Sequence, residues 1–270
     1  MQARAAVALK RLPLDLLVLA GGIVIGLPLA LTLYLSFFNE KLVTFPPRGY
    51  TFSWYSATFT EFGGPLALSA ELAACAVLGS LLLGVPAGIA LSRSRSAAAT
   101  TIGTILLAPI AFPGIALSLA IFVYLVLIEQ ATGLAFVGFG GLLAAHLLIT
   151  TPWMVRLCVA SLANHDRTAE EAASSLGASP ARVIWRVTLP AMRAGIVAGG
   201  LFAFIVSFDD LPMALFMAAP GMTTLPVSIL EYLEYHIDPM VAAIAVVQIV
   251  GIAVLLLILD RFVRLTSVAR

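Results

Sequence analysis

Long apolar runs alternate with short polar ones along this chain. Six stretches, near 14–38, 66–92, 101–128, 139–160, 194–219 and 240–262, are long enough to predict helices across about 30 Å of hydrocarbon, which takes about 20 residues. The first is too long for a cleaved signal peptide and lacks a small-x-small cleavage site, so it is expected to stay as an anchor. Between the first two runs, a loop at 39–65 holds Pro46, Pro47, Gly49, Gly63, Gly64 and Pro65 beside Trp54 and Tyr55, whose rings suit a headgroup interface. Residues 92–96 form a tight link. Pro28, Pro86, Pro109, Pro113 and Gly114 fall inside apolar runs, where neighbouring helices can re-satisfy the freed backbone groups, and read as kinks.

One polar stretch, 162–190, is long, and its pattern predicts an elbow of two short helices. Asp166 or Asn164 can cap the first, and Ala169, Ala172, Ala173 and Leu176 give it a small-residue face. Gly177 stands where a helix ends with positive φ. Ser179 then caps a second helix with Pro180 at its first position; that helix runs through Val183, Ile184 and Trp185 and is expected to break at Pro190. Such an elbow suits a cleft in another protein, with Glu170 and Glu171 offering charge-assisted contacts to Arg or Lys.

Composition sets the medium. At 61% hydrophobic and 11% charged residues the chain is no soluble globule, since soluble domains carry about 25% charge; the expected fold class is an all-α polytopic membrane protein. Charge placement sets its orientation. All basic residues except Lys41 and Arg48 fall on one side of a six-span arrangement, among them Arg4, Lys10, Arg11, Arg93, Arg95, Arg156, Arg167, Arg193, Arg261, Arg264 and Arg270. That side is read as cytoplasmic and holds both termini, and the opposite loops carry Glu40, Glu61, Glu129, Glu231, Glu234 and Asp238. The segment from Glu231 through Tyr232, Glu234, Tyr235 and His236 reads as an acidic outer loop, a docking surface or simply a solvated turn. Cys75, Cys158 and the scattered His146, His165 and His236 suggest neither a disulfide framework nor a metal site. His146 reads as a hydrogen-bonded core residue. No constellation for catalysis and no nucleic-acid partner is expected.

Asp209 and Asp210 stand out in the fifth run, about 24 Å along a helix from Arg193. Intramembrane acids usually face a water-filled path. Pro212 follows, so the helix should break there, and carbonyls freed at the break would add partial negative charge, which favours a cation. Two readings stay open and are compatible. Asp210 can cap a short helix beginning at Leu211–Pro212, with Asp209 paired to a residue on a partner subunit, and one or both aspartates, with Phe208, can line a solute path.

Two stretches resemble a known family. EEAASSLGASPARVIWRVTLP looks like the signature of inner-membrane permease subunits of binding-protein-dependent ATP-binding-cassette importers, carried here by Glu171, Ala172, Ala173, Gly177, Ile184, Leu189 and Pro190. SFDDLPMALFMAAPGMTTLP is similar to polyamine-type permeases, through Phe208, Asp209, Asp210, Pro220, Gly221, Thr224, Leu225 and Pro226. The resemblance implies a type I permease fold with a coupling helix. It implies that the elbow, Glu170 included, sits in a groove of an ATPase subunit. It also implies a second permease, expected to be a different chain, two nucleotide-binding subunits carrying ATP and Mg, and an extracytoplasmic binding protein, in a bacterial inner membrane. The chain has no G-x-x-x-x-G-K-[ST] loop, so no cofactor is expected on it and ATP hydrolysis falls to the partners. The implied solute is a polyamine such as spermidine or putrescine, with 4-aminobutyrate, an opine or 2-aminoethylphosphonate as alternatives. A self-sufficient secondary transporter would instead require ionisable groups at mid-membrane in several spans.

Overall fold

The structure, a computed structural model, describes residues 2–41, 44–94, 96–134, 136, 138–163, 165–219 and 221–263. Arg95, Asn164, Pro220, Arg264 and Arg270, invoked above, lie outside the described residues. Those described form helices and turns, with a lone bridge between Phe38 and Tyr50 as the extended pairing among them. The fold is all-helical, as its apolar runs predict, and the chain divides into two compact units.

The first unit comprises Met1–Glu61 and Tyr232–Gly251. It begins with α1 (Gln2–Leu35), whose apolar part, Asp15–Leu35, has 21 residues, none of them buried among the described residues. After α1 the chain doubles back: the Asn39 N–H donates to the Gly49 carbonyl at 3.1 Å and the Thr51 N–H to the Phe37 carbonyl at 2.7 Å. Trp54 Nε1 donates to the Phe38 carbonyl at 2.7 Å, and the Ser36 and Tyr55 hydroxyls lie 2.7 Å apart. Around these bonds the rings of Tyr34, Phe37, Tyr50, Phe52 and Tyr55 interleave, with Phe38 buried among them. Farther on, Asp238 accepts from the Met240 N–H at 3.1 Å and from the Tyr232 hydroxyl at 2.6 Å, capping α12 (Pro239–Val263), which starts on a proline.

The second unit comprises Phe62–Glu231 and Ile252–Arg270, and α5 (Phe139–Ala163) is its axis. Two helices press against α5 through glycines, α2 (Ser53–Arg93) and α9 (Arg193–Phe208). A Cβ on Gly84 would come 2.6 Å from Met154 and one on Gly88 would come 2.6 Å from the Cys158 Cβ. On α9, a Cβ on Gly195 would lie 2.7 Å from the Leu157 carbonyl oxygen. Such close approach is what small residues permit between membrane helices, where dispersion must replace the hydrophobic drive. Two buried hydrogen bonds cross the same contacts, Ser80 to Thr150 at 2.8 Å and His146 Nδ1 to Ser207 at 2.8 Å. Beyond them Leu72, Leu142, Ala145, Met213, Met217 and Val227 make an apolar cluster, flanked by Leu117 and Ile121 of α4 (Gly114–Thr132).

Several boundaries differ from the sequence reading. The second helix starts at Ser53 rather than near 66, so half of the expected 39–65 loop is helical; Pro65 is tolerated inside it and Phe62 is buried. The third run is two helices: α3 (Ala97–Leu107), capped by the Ser96 hydroxyl, and α4. Pro109 and Pro113 divide them through a tighter turn at Ala108–Ala111, while Pro86 stays inside a continuous helix. The fifth run ends as a helix at Phe208 and resumes as α10 (Pro212–Met217). The expected acidic outer loop is instead the end of α11 (Leu225–Tyr235). Five helices among the described residues are long and apolar enough to cross a membrane, and a sixth crossing arises if Pro180–Ala191 and Arg193–Phe208, bent by 70°, count as one.

Candidate functional site

The elbow is built from the ends inward. Asp166 Oδ1 accepts the Thr168 N–H at 3.0 Å and so opens α6 (Thr168–Ser175); that bond holds the Asp166 carboxyl below its ordinary value. At the other end the Gly177 N–H donates to the Ser174 carbonyl at 2.9 Å and the Ala178 N–H to the Ala173 carbonyl at 3.1 Å. This double closure needs a left-handed residue, and Gly177 supplies it at φ +82. The chain then reverses into α7 (Pro180–Val183). Ser179 occupies the cap position and Pro180 the first, but the Ser179 side chain makes no capping bond, a correction to the expected cap.

The second arm does not break at Pro190. It passes through a π-helical turn at Ile184–Thr188, in which the Leu189 N–H reaches the Ile184 carbonyl, into α8 (Leu189–Ala191). A proline lacks the N–H for the α pattern, and the wider turn carries the chain on through Pro190. The sharp bend comes two residues later, at Met192, whose side chain is fully buried.

The motif residues divide between two faces. Glu170 points inward: both its oxygens lie 2.9 Å from Arg93 Nη2, and the Thr188 hydroxyl donates to Oε1 at 2.5 Å. Burial pushes the Glu170 carboxyl up, but Thr188 and Arg93 outweigh it and hold the group below its ordinary value. Arg167 makes a second tie to the same end of α2, donating to the Ser92 carbonyl at 2.8 Å. Facing outward, Glu171, Ala172, Gly177 and Pro190 are exposed, and Ala173, Ile184 and Leu189 are half-buried. Leu176 and Trp185 are 89% and 72% exposed, large apolar groups left mostly open by the described residues. A cleft of about 530 Å³ opens beside Arg93, Arg167, Glu170, Glu171, Ser174 and Val183.

At the break after α9, Asp209 stands on the last turn, its N–H still bonded to the Ile205 carbonyl, and its side chain is exposed. Asp210 is half-buried, and its Oδ1 accepts the Met213 N–H at 2.7 Å, so it does cap α10. Phe208 is buried and stacks on Phe204 at 5.5 Å, leaving the aspartates as the open groups of the three. The elbow and the acidic break lie at opposite ends of α9. Sequence reasoning reads Arg93 as an orientation charge and misses Thr188 altogether: a contact across 77 residues leaves no local pattern.

Three comparisons bear on this arrangement. A family model described as "Binding-protein-dependent transport system inner membrane component" matches residues 80–268, which holds both the elbow and the acidic break. The chain is 31% identical to the putrescine transport system permease protein PotI of Escherichia coli over 222 residues, covering 81% of this chain and 79% of that one. It is 34% identical over 216 residues to the molybdenum transport system permease protein ModB of Mycobacterium tuberculosis, covering 76% and 81%. Among solved structures, a chain of a bacterial ABC transporter involved in the import of the acidic polysaccharide alginate superposes with TM-score 0.70 at 17% identity, covering 97% and 98%.

Proposed function

From the premise that the chain belongs to the family of inner membrane components of binding-protein-dependent transport systems, we propose that it carries a small aminoalkyl cation, a polyamine such as putrescine or spermidine, into the cell. The observation that carries this reading is the open Asp209 beside the half-open Asp210 at the broken end of α9. Two carboxylates at a helix break attract cationic ammonium groups and repel an oxyanion. The similarity to PotI supports the polyamine reading. The similarity to ModB supports the importer equally, but a molybdenum oxyanion would meet the wrong sign of charge at this position.

The same reading assigns the elbow to an ATPase subunit. Leu176 and Trp185 would fill an apolar groove and Glu171 would pair with a basic side chain at its rim. Two nucleotide-binding subunits would bind and hydrolyse ATP with Mg, a second permease would complete the path, and an extracytoplasmic binding protein would deliver the solute. Both termini then face the cytoplasm, on the side of the basic loops.

The test is ATP hydrolysis by the purified complex in lipid, with its binding protein loaded in turn with putrescine, spermidine, 4-aminobutyrate, 2-aminoethylphosphonate, an opine and molybdate. Stimulation by the two polyamines is the expected result. Stimulation by an anionic solute alone would overturn the cation reading while leaving the importer in place.

A further inference from the structure

We propose that Arg93, Glu170 and Thr188 act as a clasp that makes the elbow and the Arg93 end of α2 one moving body, so that elbow movement enters the bundle through α2 as well as through α9. The proposal rests on the reading of 162–190 as the coupling elbow.

The argument begins with what the covalent chain supplies. The elbow leaves α5 near Ala163 and rejoins α9 at Met192, where its second arm meets α9 at a 70° bend with irregular backbone. A joint of that kind transmits force poorly, because a change at one or two dihedrals absorbs it. The clasp bypasses the joint. Arg93 is the last residue of α2, and a single guanidinium nitrogen reaches both oxygens of Glu170 on α6 at 2.9 Å and the hydroxyl of Thr188 in the second arm at 2.9 Å. Thr188 closes the triangle by donating to Glu170. Three segments therefore meet at one node, and the Arg167 bond to the Ser92 carbonyl fixes a second point on the same helix end.

The node is enclosed enough to hold. The Glu170 side chain is 15% exposed and Thr188 is fully buried, while the Arg93 side chain, 35% exposed, borders the cleft. Exposed ion pairs contribute little, but a charge-assisted network sheltered from water is stronger than a neutral bond. Farther up, α2 is seated closely on α5 through Gly84 and Gly88, where there is no space even for a Cβ. Displacement of α6 is thus passed to α2 and onward to the axis of the unit.

The two adjacent glutamates consequently differ in role. Glu171 faces out for a partner; Glu170 is a positioning residue that acts inside the chain. In the assembled complex in lipid, Glu170→Gln and Arg93→Gln are expected to lower the ratio of solute-stimulated to basal ATP hydrolysis by roughly tenfold, the scale of losing a hydrogen bond to a charged group, with the ATPase subunits still co-purifying. Arg93→Lys, which keeps the charge and some donors, should restore a large part of that ratio. Glu171→Gln should instead weaken co-purification. Spin labels at Ser94 and Ser175, in a Cys75→Ser, Cys158→Ala background, should give one distance with and without ATP in the otherwise native chain, and a broadened one with Glu170→Gln.

An unchanged hydrolysis ratio in Glu170→Gln would overturn the clasp. So would a Ser94–Ser175 distance that shifts on ATP addition with the triad intact, or loss of the ATPase subunits from the Glu170→Gln complex. A native complex that shows no solute-stimulated hydrolysis at all would instead defeat the coupling reading on which the clasp depends.

Discussion

His146 and Ser207 meet at 2.8 Å in the interior, imidazole Nδ1 to hydroxyl, and join α5 to α9 at a point fully closed to solvent. With the neighbouring Ser80–Thr150 bond, the pair fixes the rotational setting of α9, whose far end leads to the two aspartates two and three residues beyond Ser207. Interhelical hydrogen bonds in membranes contribute on average about 0.6 and at most about 1.7 kcal/mol. Ser207→Ala should therefore destabilise the chain by about 1 kcal/mol, read as a lowered unfolding midpoint in detergent. Ser207→Thr, which keeps the hydroxyl, should recover most of it. Equal midpoints for native and Ser207→Ala would mean that the bond contributes nothing.

Gly177 offers a second test that separates backbone from space. Among the described residues nothing lies within 4 Å of where a Cβ would stand, so substitution there meets the cost of φ +82. A non-glycine residue in that region costs about 1–2 kcal/mol, and Asn tolerates it better than most. The expected order of solute-stimulated ATP hydrolysis is Gly, then Gly177→Asn, then Gly177→Ala, then Gly177→Val. Wild-type activity in Gly177→Val would remove the left-handed turn from the account of the elbow.

The aspartates at the α9 break can be told apart by chemistry. Asp210 accepts the Met213 N–H, and an amide oxygen can do the same, so Asp210→Asn should keep the cap. Asp210→Ala should lose about 1 kcal/mol of stability, the usual scale for a lost cap. Asp209 has no such duty, and its side chain is open. Asp209→Asn should leave the unfolding midpoint in place and slow uptake of a cationic solute in proteoliposomes; undiminished uptake in that variant would take Asp209 out of the solute path.

What the sequence made legible follows from how far each signal reaches. Apolar run length needs no tertiary information, and it places α1, α5 and α12 near their observed positions. The Gly177 turn and the Pro180 start are local too, and both stand where their residue preferences put them. Prolines are less legible, because the cost of one depends on what surrounds it: Pro65 and Pro86 stay inside α2, while Pro109 and Pro113 lie in the break between α3 and α4. Pro190 is the sharpest case, carried through by a π-helical turn so that the bend falls at Met192 instead. The node of Arg93, Glu170 and Thr188 was illegible for another reason. Its members come from three segments, and only packing brings them together.

The Glu170 carboxyl supplies a pH dependence whose sign can be fixed in advance. Its folded value is depressed below the ordinary 4.5, with burial opposing and the Thr188 and Arg93 contacts prevailing. A depressed acid contributes stability that is complete above the unfolded value and disappears as pH falls through the folded one. The comparison to make is native against Glu170→Gln, by unfolding midpoint in detergent along a series of pH steps. The gap between the two should narrow as pH falls below about 5 and the carboxylate is titrated. A guanidinium is not discharged at low pH, so the narrowing reports protonation of Glu170 rather than loss of its partner. A gap that is flat across the whole series would show that the charge on Glu170 contributes nothing to the elbow's attachment, leaving the Thr188 bond and shape alone to hold it.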